Sequence, residues 1–495
     1  MSTIQKASSE RVGLRSAGYS RIDVRATPAD QRYARYHAAR AKEGLPTWVC
    51  ACLTINCCMG SGFLALPRIF SLAGLVLSSV VMVVMCGAMQ LTTSWETEAM
   101  VRAEAVVVRQ LERAAPTRLV VGPRSAISNR SFEVTELCSI FGGARLHGLY
   151  SAIFLCYLLS TSWAYAFVFA ESLSTAVPLF GYDLCAPDDA CPLYRAYAVV
   201  FLCLAVPLSL LEPNEQATFQ IMMTCFRFVV ALVMTLTALV EAKSPGLLFR
   251  DVGGDDVGLE FLGKPRGLGI LLPAAIFALN INGNVPLIAK SMRDRENVDI
   301  AICFGLWIPC VMYIFIGTSV AVAFGDAVPR SANIVWENFA MSGDGLVAQT
   351  LRFFATVVVL FPAADVLSVF PLNTTVVANN LIAIVYGAKV DKFQHNTTLR
   401  RVSRLVVAVP PIIGACLWSN FTRIIDYTGV LAIFISCVFP PALSILGRRL
   451  CMNEFGDARL NVTRYSIDGD RTWPKLLIVA AGITTVVLAL SLDDD

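Results

Sequence analysis

Two apolar stretches of this 495-residue chain are interrupted by the residues an α-helix tolerates worst. The first reads Asn56-Cys57-Cys58-Met59-Gly60-Ser61-Gly62 with Pro67 beyond it; the second reads Asn280-Ile281-Asn282-Gly283-Asn284-Val285-Pro286. A break frees backbone N–H and C=O groups, and in hydrocarbon each orphan is costly unless a cavity, an ion or a substrate satisfies it. The freed groups are the chemistry. Gly60, Ser61 and Gly62 carry no bulky side chain, and a half-helix starting there aims its positive dipole end at mid-membrane, which suits a carboxylate. Asn56, one turn earlier, must hydrogen-bond something, and carbonyls exposed around it can hold an ammonium or a cation. At the second break, unwound carbonyls of Ala278, Leu279 and Asn280 would face the first. Close helix packing through Gly-x-Gly is the competing reading of the first break. A proline kink competes at the second, but accounts for Pro286 and not for Asn280, Asn282 and Asn284 together.

Two acids stand out beside them. Asp365, in Phe361-Pro362-Ala363-Ala364-Asp365-Val366-Leu367, is the sole acidic residue of its apolar segment, and Glu171 lies near the end of another. An ionised carboxylate in hydrocarbon is costly, so Asp365 should be paired, hydrated or protonated. Proton relay, bonding to exposed backbone and attraction of a cationic substrate side chain are all open to it. Glu171 is a second coupling candidate, or a hydrated interfacial residue.

The elements that must position these residues are membrane helices. The chain is 56% hydrophobic and 16% charged, with a mean hydropathy of +0.62, too apolar for a soluble protein of this length. Eleven candidate spans run roughly over 47–69, 73–94, 148–176, 194–212, 217–240, 267–290, 298–324, 346–372, 402–419, 424–446 and 474–492; about 20 residues suffice to cross. The segment at 402–419 is the weakest, being short and carrying Pro410-Pro411. Basic loops around Arg293/Arg295, Lys389/Lys392/Arg400/Arg401/Arg404 and Arg448/Arg449 share a side with the basic tail 1–46. Acidic loops (Asp183/Asp188/Asp189, Asp251/Asp255/Asp256, Asp326/Glu337/Asp344) take the other, so the N-terminus is expected in the cytosol and the C-terminus outside or in a lumen.

The tail 1–46 is expected to be a disordered cytosolic segment, with no cleavable signal. Cys185 and Cys191 flank an acidic loop on the oxidising side and are expected to form a disulfide. Val101 to Ala114 is expected to be an exposed amphipathic helix in a cytosolic loop. Three histidines in the chain, and the lack of metal-ligand spacing, phosphate-binding Gly loop or nucleophile signature, argue against an enzyme, a cofactor or a metal site. The net charge of +3 gives no sign of nucleic-acid binding. No ring of charged residues suggests a channel.

At the breaks a family resemblance emerges. Asn56 to Pro67, with Gly-Ser-Gly-x-Leu-Ala-Leu-Pro, resembles the first-span signature of the amino acid/auxin permease family, and Phe277 to Pro286 resembles its sixth-span pattern. Phe167 to Leu173, Phe370-Pro371-Leu372 and Phe439 to Leu443 are similar to later family segments in the same order. The resemblance implies an all-α, LeuT-like fold of eleven transmembrane helices over 47–492: two inverted five-helix repeats, 47–241 and 267–446, plus a peripheral helix at 474–492, with the first and sixth helices broken. It further implies that the N–H groups of Gly60, Ser61 and Gly62 receive a substrate carboxylate. Carbonyls near Ile55, Asn56, Ala278 and Leu279 would receive its ammonium. Phe277, Asn280 and residues of the third and eighth spans would complete the pocket. Sodium-coupled relatives carry a Thr where this chain has Ala364, which weakens the case for sodium and leaves a proton preferred as coupling ion.

The function expected is therefore secondary active, alternating-access transport of an amino acid, with a membrane sensor that binds amino acids without turnover as the competing class. The partners expected are an amino acid and the lipid bilayer. Cationic, small neutral and larger neutral substrates stay open, as do plasma and lysosomal or vacuolar membranes.

Overall fold

The computed structural model describes residues 44–114, 132–179, 181, 184–185, 191–212, 215–249, 261–263, 267–329, 331–339, 345–386, 396–417, 428–456 and 472–492. The expected N-terminal tail falls almost wholly outside them. The described residues are helical, joined by short turns, with only two isolated bridges, Leu45 to Met292 and Phe249 to Phe339.

In chain order the helices are α1 (Thr47–Cys58), α2 (Leu66–Ala73), α3 (Leu75–Ala114), α4 (Val134–Ser174), α5 (Pro192–Ser209), α6 (Ala217–Lys243), α7 (Leu268–Leu279), α8 (Val285–Ser291), α9 (Val298–Phe324), α10 (Leu346–Tyr386), α11 (Thr397–Leu417), α12 (Thr428–Phe455) and α13 (Thr472–Leu492). Eight spans among the described residues are long and apolar enough to cross a membrane, one of them α7 and α8 taken together; the bent pair Thr47–Cys58 and Gly62–Ala73, at 51°, makes a ninth. The other two expected crossings fall on α11 and α13, each 21 residues long, or about 31 Å at the α-helical rise. α11 opens with Arg400, Arg401 and Arg404, which lower its mean apolarity. Eleven is thus the count from the sequence, and eight or nine the count from the structure.

Two groups of helices make the core. α9 packs on α1, α2, α3 and α6, while α4, α5, α10 and α11 pack among themselves; α6 touches both groups and α12 lies on α3 and α4. The outer faces stay apolar. Leu232, Leu236 and Leu239 on α6 and Phe304, Trp307, Val311 and Phe315 on α9 are exposed, at the three- to four-residue intervals of one helix face, as expected for a surface solvated by lipid.

The helix expected to be exposed at Val101 to Ala114 is instead the end of α3, which runs unbroken from Leu75. Its Glu98, Arg102 and Glu104 are buried rather than solvated. The reason is α12: Arg448 on that helix reaches Glu98 at 3.5 Å, and Glu98 pairs with Arg102 at 2.9 Å. α4 likewise starts earlier than expected, at Val134, and turns at Gly143, whose φ of 69° lies in the left-handed region that glycine tolerates.

Candidate functional site

The first break follows from its residues. α1 ends at Cys58; Met59 and Gly60 leave helical geometry, and a 3-10 turn over Ser61–Ala65 leads into α2, with Pro67 in its first turn. Proline lacks the N–H that a helix start leaves unpaired anyway, so Pro67 marks a restart rather than an interior defect. At the second break α7 ends at Leu279, Asn280 and Ile281 are non-helical, and a 3-10 turn over Asn282–Asn284 leads into α8, where Pro286 plays the same part.

A cavity of about 30 Å³ lies between the breaks, room for one or two water-sized groups. Of the residues expected to bind substrate, Gly60, Gly62, Phe277, Ala278 and Asn280 line it. Tyr157, Leu158, Thr161 and Tyr165 of α4 and Val369, Leu372 and Asn373 of α10 complete it. Both glycines are there for close approach. A Cβ on Gly60 would stand 3.1 Å from the Tyr165 hydroxyl oxygen, and one on Gly62 would stand 3.0 Å from a ring carbon of Phe277.

Four expected residues are placed otherwise. Ile55 is buried and its carbonyl accepts the Met59 N–H at 2.7 Å. Leu279 sits in the apolar core. The backbone of Ser61 opens the 3-10 turn, and its side chain is outside the described features. Asn56 does not line the cavity: its amide N–H donates to the Gln220 carbonyl and side-chain oxygen, both at 2.7 Å, and its oxygen accepts from Thr224 at 3.0 Å and from Arg227.

The carbonyl of Ala278, lining the cavity, already accepts weakly from the Tyr313 hydroxyl and the Cys58 thiol, each at 3.5 Å, and Tyr313 also donates to the Cys58 carbonyl at 3.2 Å. Tyr313 therefore joins the carbonyls of both breaks. An ammonium group arriving there would compete with one hydroxyl for two oxygens.

Asp365 is fully buried and its Oδ1 accepts from Nε of Arg227, itself 1% exposed. The guanidinium also donates to Asn56 and, at 3.0 Å, to the hydroxyl of Ser368. One buried cation thus ties α1, α6 and α10 together. Arg227 was not singled out from sequence. The signal was there: a lone Arg in an apolar span demands a buried partner, and Asp365 is the isolated acid of another span. The other oxygen of Asp365, Oδ2, is buried with no hydrogen-bond partner among the described residues. Glu171 is half-buried near the C-terminal end of α4, apart from the cavity lining; its backbone carbonyl accepts from Ser174 and Thr175. Cys185 and Cys191 are disulfide-bonded, with Cα atoms 5.9 Å apart. Cys191 also caps α5 by accepting the Tyr194 N–H at 3.3 Å.

Relatives of this arrangement are recognisable. Transmembrane protein 104 homolog of Caenorhabditis elegans is 24% identical over 379 residues, 71% of each chain. Transmembrane protein 104 of Mus musculus is 22% identical over 464 residues, 83% of this chain and 89% of the mouse one. A crystal structure of the Eremococcus coleocola manganese transporter superposes with a TM-score of 0.50 at 14% identity, covering 96% of this chain and 88% of that one; the likeness is one of fold. The sequence pattern of the family described as transmembrane amino acid transporter protein matches residues 45–465. On that match, and with the fold it accompanies, this chain belongs to the transmembrane amino acid transporter family.

Proposed function

We propose that this chain is a secondary active amino acid transporter, driven by protons rather than sodium, in which substrate binds between the two breaks. The observation that carries the reading is the cavity that Gly60 and Gly62 of one break share with Phe277, Ala278 and Asn280 of the other. Backbone N–H groups at a helix start suit the substrate carboxylate, and carbonyls at the end of α7 suit its ammonium. Alternating access follows if the broken helices rock against α4, α5, α10 and α11.

The preference for protons rests on Arg227. Asn56, Asp365 and Ser368 offer the kind of oxygens that would coordinate a metal cation, and the guanidinium has taken them. A fixed cation there leaves little reason for sodium. The free Oδ2 of Asp365 is a place for a proton, and protonation would weaken the ion pair that holds α1 to α10. Proton occupancy would then be coupled to movement of the first broken helix. Glu171 is the second coupling candidate.

The test is reconstitution in liposomes with a panel of labelled amino acids under imposed proton and sodium gradients. Accumulation should follow the proton gradient, and Asp365→Asn should abolish its pH dependence. Accumulation that follows neither gradient rejects coupled transport, and binding without flux favours a sensor.

A further inference from the structure

A second buried acidic site lies one helical turn from the second break. The side chain of Asn282 bonds Thr92 of α3, at 3.1 and 3.3 Å, and Glu96 follows Thr92 by four residues, on the same helix face. Glu96 is 1% exposed, and neither of its oxygens has a hydrogen-bond partner among the described residues. A carboxylate left in that state is costly; a carboxylic acid is far less so. Across from it, at the first residue before α4, is Glu133, 3% exposed and reached by the Asn380 amide at 3.4 Å. Glu133 also lines a narrow cleft with Lys290, Asn379 and Arg400, on the side that the basic loops assign to the cytosol.

We infer that Glu96 and Glu133 form a proton-relay site of this transporter, beside the second break and apart from Asp365, passing a proton from Glu96 towards the cytosolic cleft. The inference rests on the proton coupling proposed above. The step is a plain transfer: the O–H bond of Glu96 breaks and one forms on the carboxylate of Glu133, which gives the proton up to water when the cleft, closed to water in this structure, opens. A protonated Glu96 can donate to the side-chain oxygen of Asn282, whereas ionised Glu96 can only accept from its amide. Its charge state therefore acts on the second break.

Glu96 faces Glu133, just before α4, Cys138 and Tyr150 on α4 and the Asn282 amide of the second break, and no cation is among them. Glu133 faces Glu136 on its own helix and Lys290 of α8. Burial raises the carboxyl of Glu133 to about 7, with Lys290 opposing the rise. On α12, Arg448 pairs with Glu98, which is two residues from Glu96 and so on a different face of α3.

The experiment uses the full chain in liposomes and the labelled amino acid that the wild type accumulates most. Two readouts are compared: accumulation driven by a proton gradient, which needs net proton release, and counterflow exchange at equal pH, which does not. Glu96→Gln should lose gradient-driven accumulation roughly tenfold per pH unit imposed while keeping counterflow within about twofold. Glu96→Asp should recover much of the loss, and Glu133→Gln should show the same split. Wild-type accumulation in Glu96→Gln overturns the inference alone. Loss of counterflow in Glu96→Gln without recovery in Glu96→Asp also overturns it, assigning Glu96 to packing. A wild type that ignores the proton gradient overturns the coupling reading itself.

Discussion

The two breaks solve the same problem with different residues. The first is made of glycine and serine, and its polar anchor, Asn56, turns away from the cavity into a network with Gln220, Thr224 and Arg227. The second is made of asparagines whose side chains are themselves the anchors: Asn280 donates to the Tyr157 hydroxyl at 2.9 Å and its oxygen accepts the Asn282 N–H at 3.2 Å, while Asn282 bonds Thr92. So the first break is held from behind, with the Gly60 N–H turned onto the Cys58 carbonyl at 3.0 Å, whereas the second is held at its own side chains. The difference teaches which break can tolerate change. At the first, damage should come from the remote support or from added bulk; at the second, from loss of individual amides.

The largest effect is expected at the support of the first break. Arg227→Met leaves Asp365 buried and uncompensated, which should cost about 3–5 kcal/mol of stability, and Arg227→Met with Asp365→Leu should recover most of it because two charges vanish together. Thermal unfolding in detergent measures both; equal stability of the single and double variants would break the contrast. Next comes bulk. Gly62→Ala puts a methyl against the Phe277 ring, and should weaken substrate binding about tenfold, or about 1.4 kcal/mol. Combining it with Phe277→Leu should restore affinity, as read by equilibrium binding of a labelled amino acid.

At the second break, Asn280→Ala strips the Tyr157 hydroxyl of its partner, and an unsatisfied buried polar group costs about 1–3 kcal/mol. Asn280→Ala with Tyr157→Phe should cost less than Asn280→Ala alone, a pattern that a double-mutant cycle on unfolding detects. A further effect, read through pH, concerns Glu133. Its carboxyl is raised from 4.5 to about 7 by burial, so folded protein holds this proton more tightly than unfolded chain does. Its contribution to stability is complete below about pH 4.5, falls as pH rises, and is gone once pH passes about 7. Glu133→Gln should flatten that part of the stability curve; an unchanged slope between those pH values would show that Glu133 is hydrated.

Much of the site could be read from residue types. Gly60, Gly62, Phe277, Ala278 and Asn280 were reachable because glycine, proline and asparagine are conspicuous in apolar runs, and a break has a physical cost whatever surrounds it. The partners were harder. Tyr157, Thr161 and Tyr165 look like ordinary residues of an amphiphilic helix until α4 is set against the breaks. Arg227 and Asp365 are each visible as a lone charge, yet their sequence separation of 138 hides the pair. Arg102 and Glu104 were expected to be solvated because alternating charges on a helix normally mean water, and it is the packing of α12 against α3 that buries this part of the helix.

Sequence alone determined the membrane class and the positions of both breaks, since each depends on local composition and on the bilayer as a solvent. Tertiary structure decided which broken groups share a cavity, that Asn56 faces Arg227 rather than that cavity, and that the Glu96 oxygens are buried with no hydrogen-bond partner among the described residues. Those facts depend on which helix faces which, and a residue's own type does not specify the surface that will cover it.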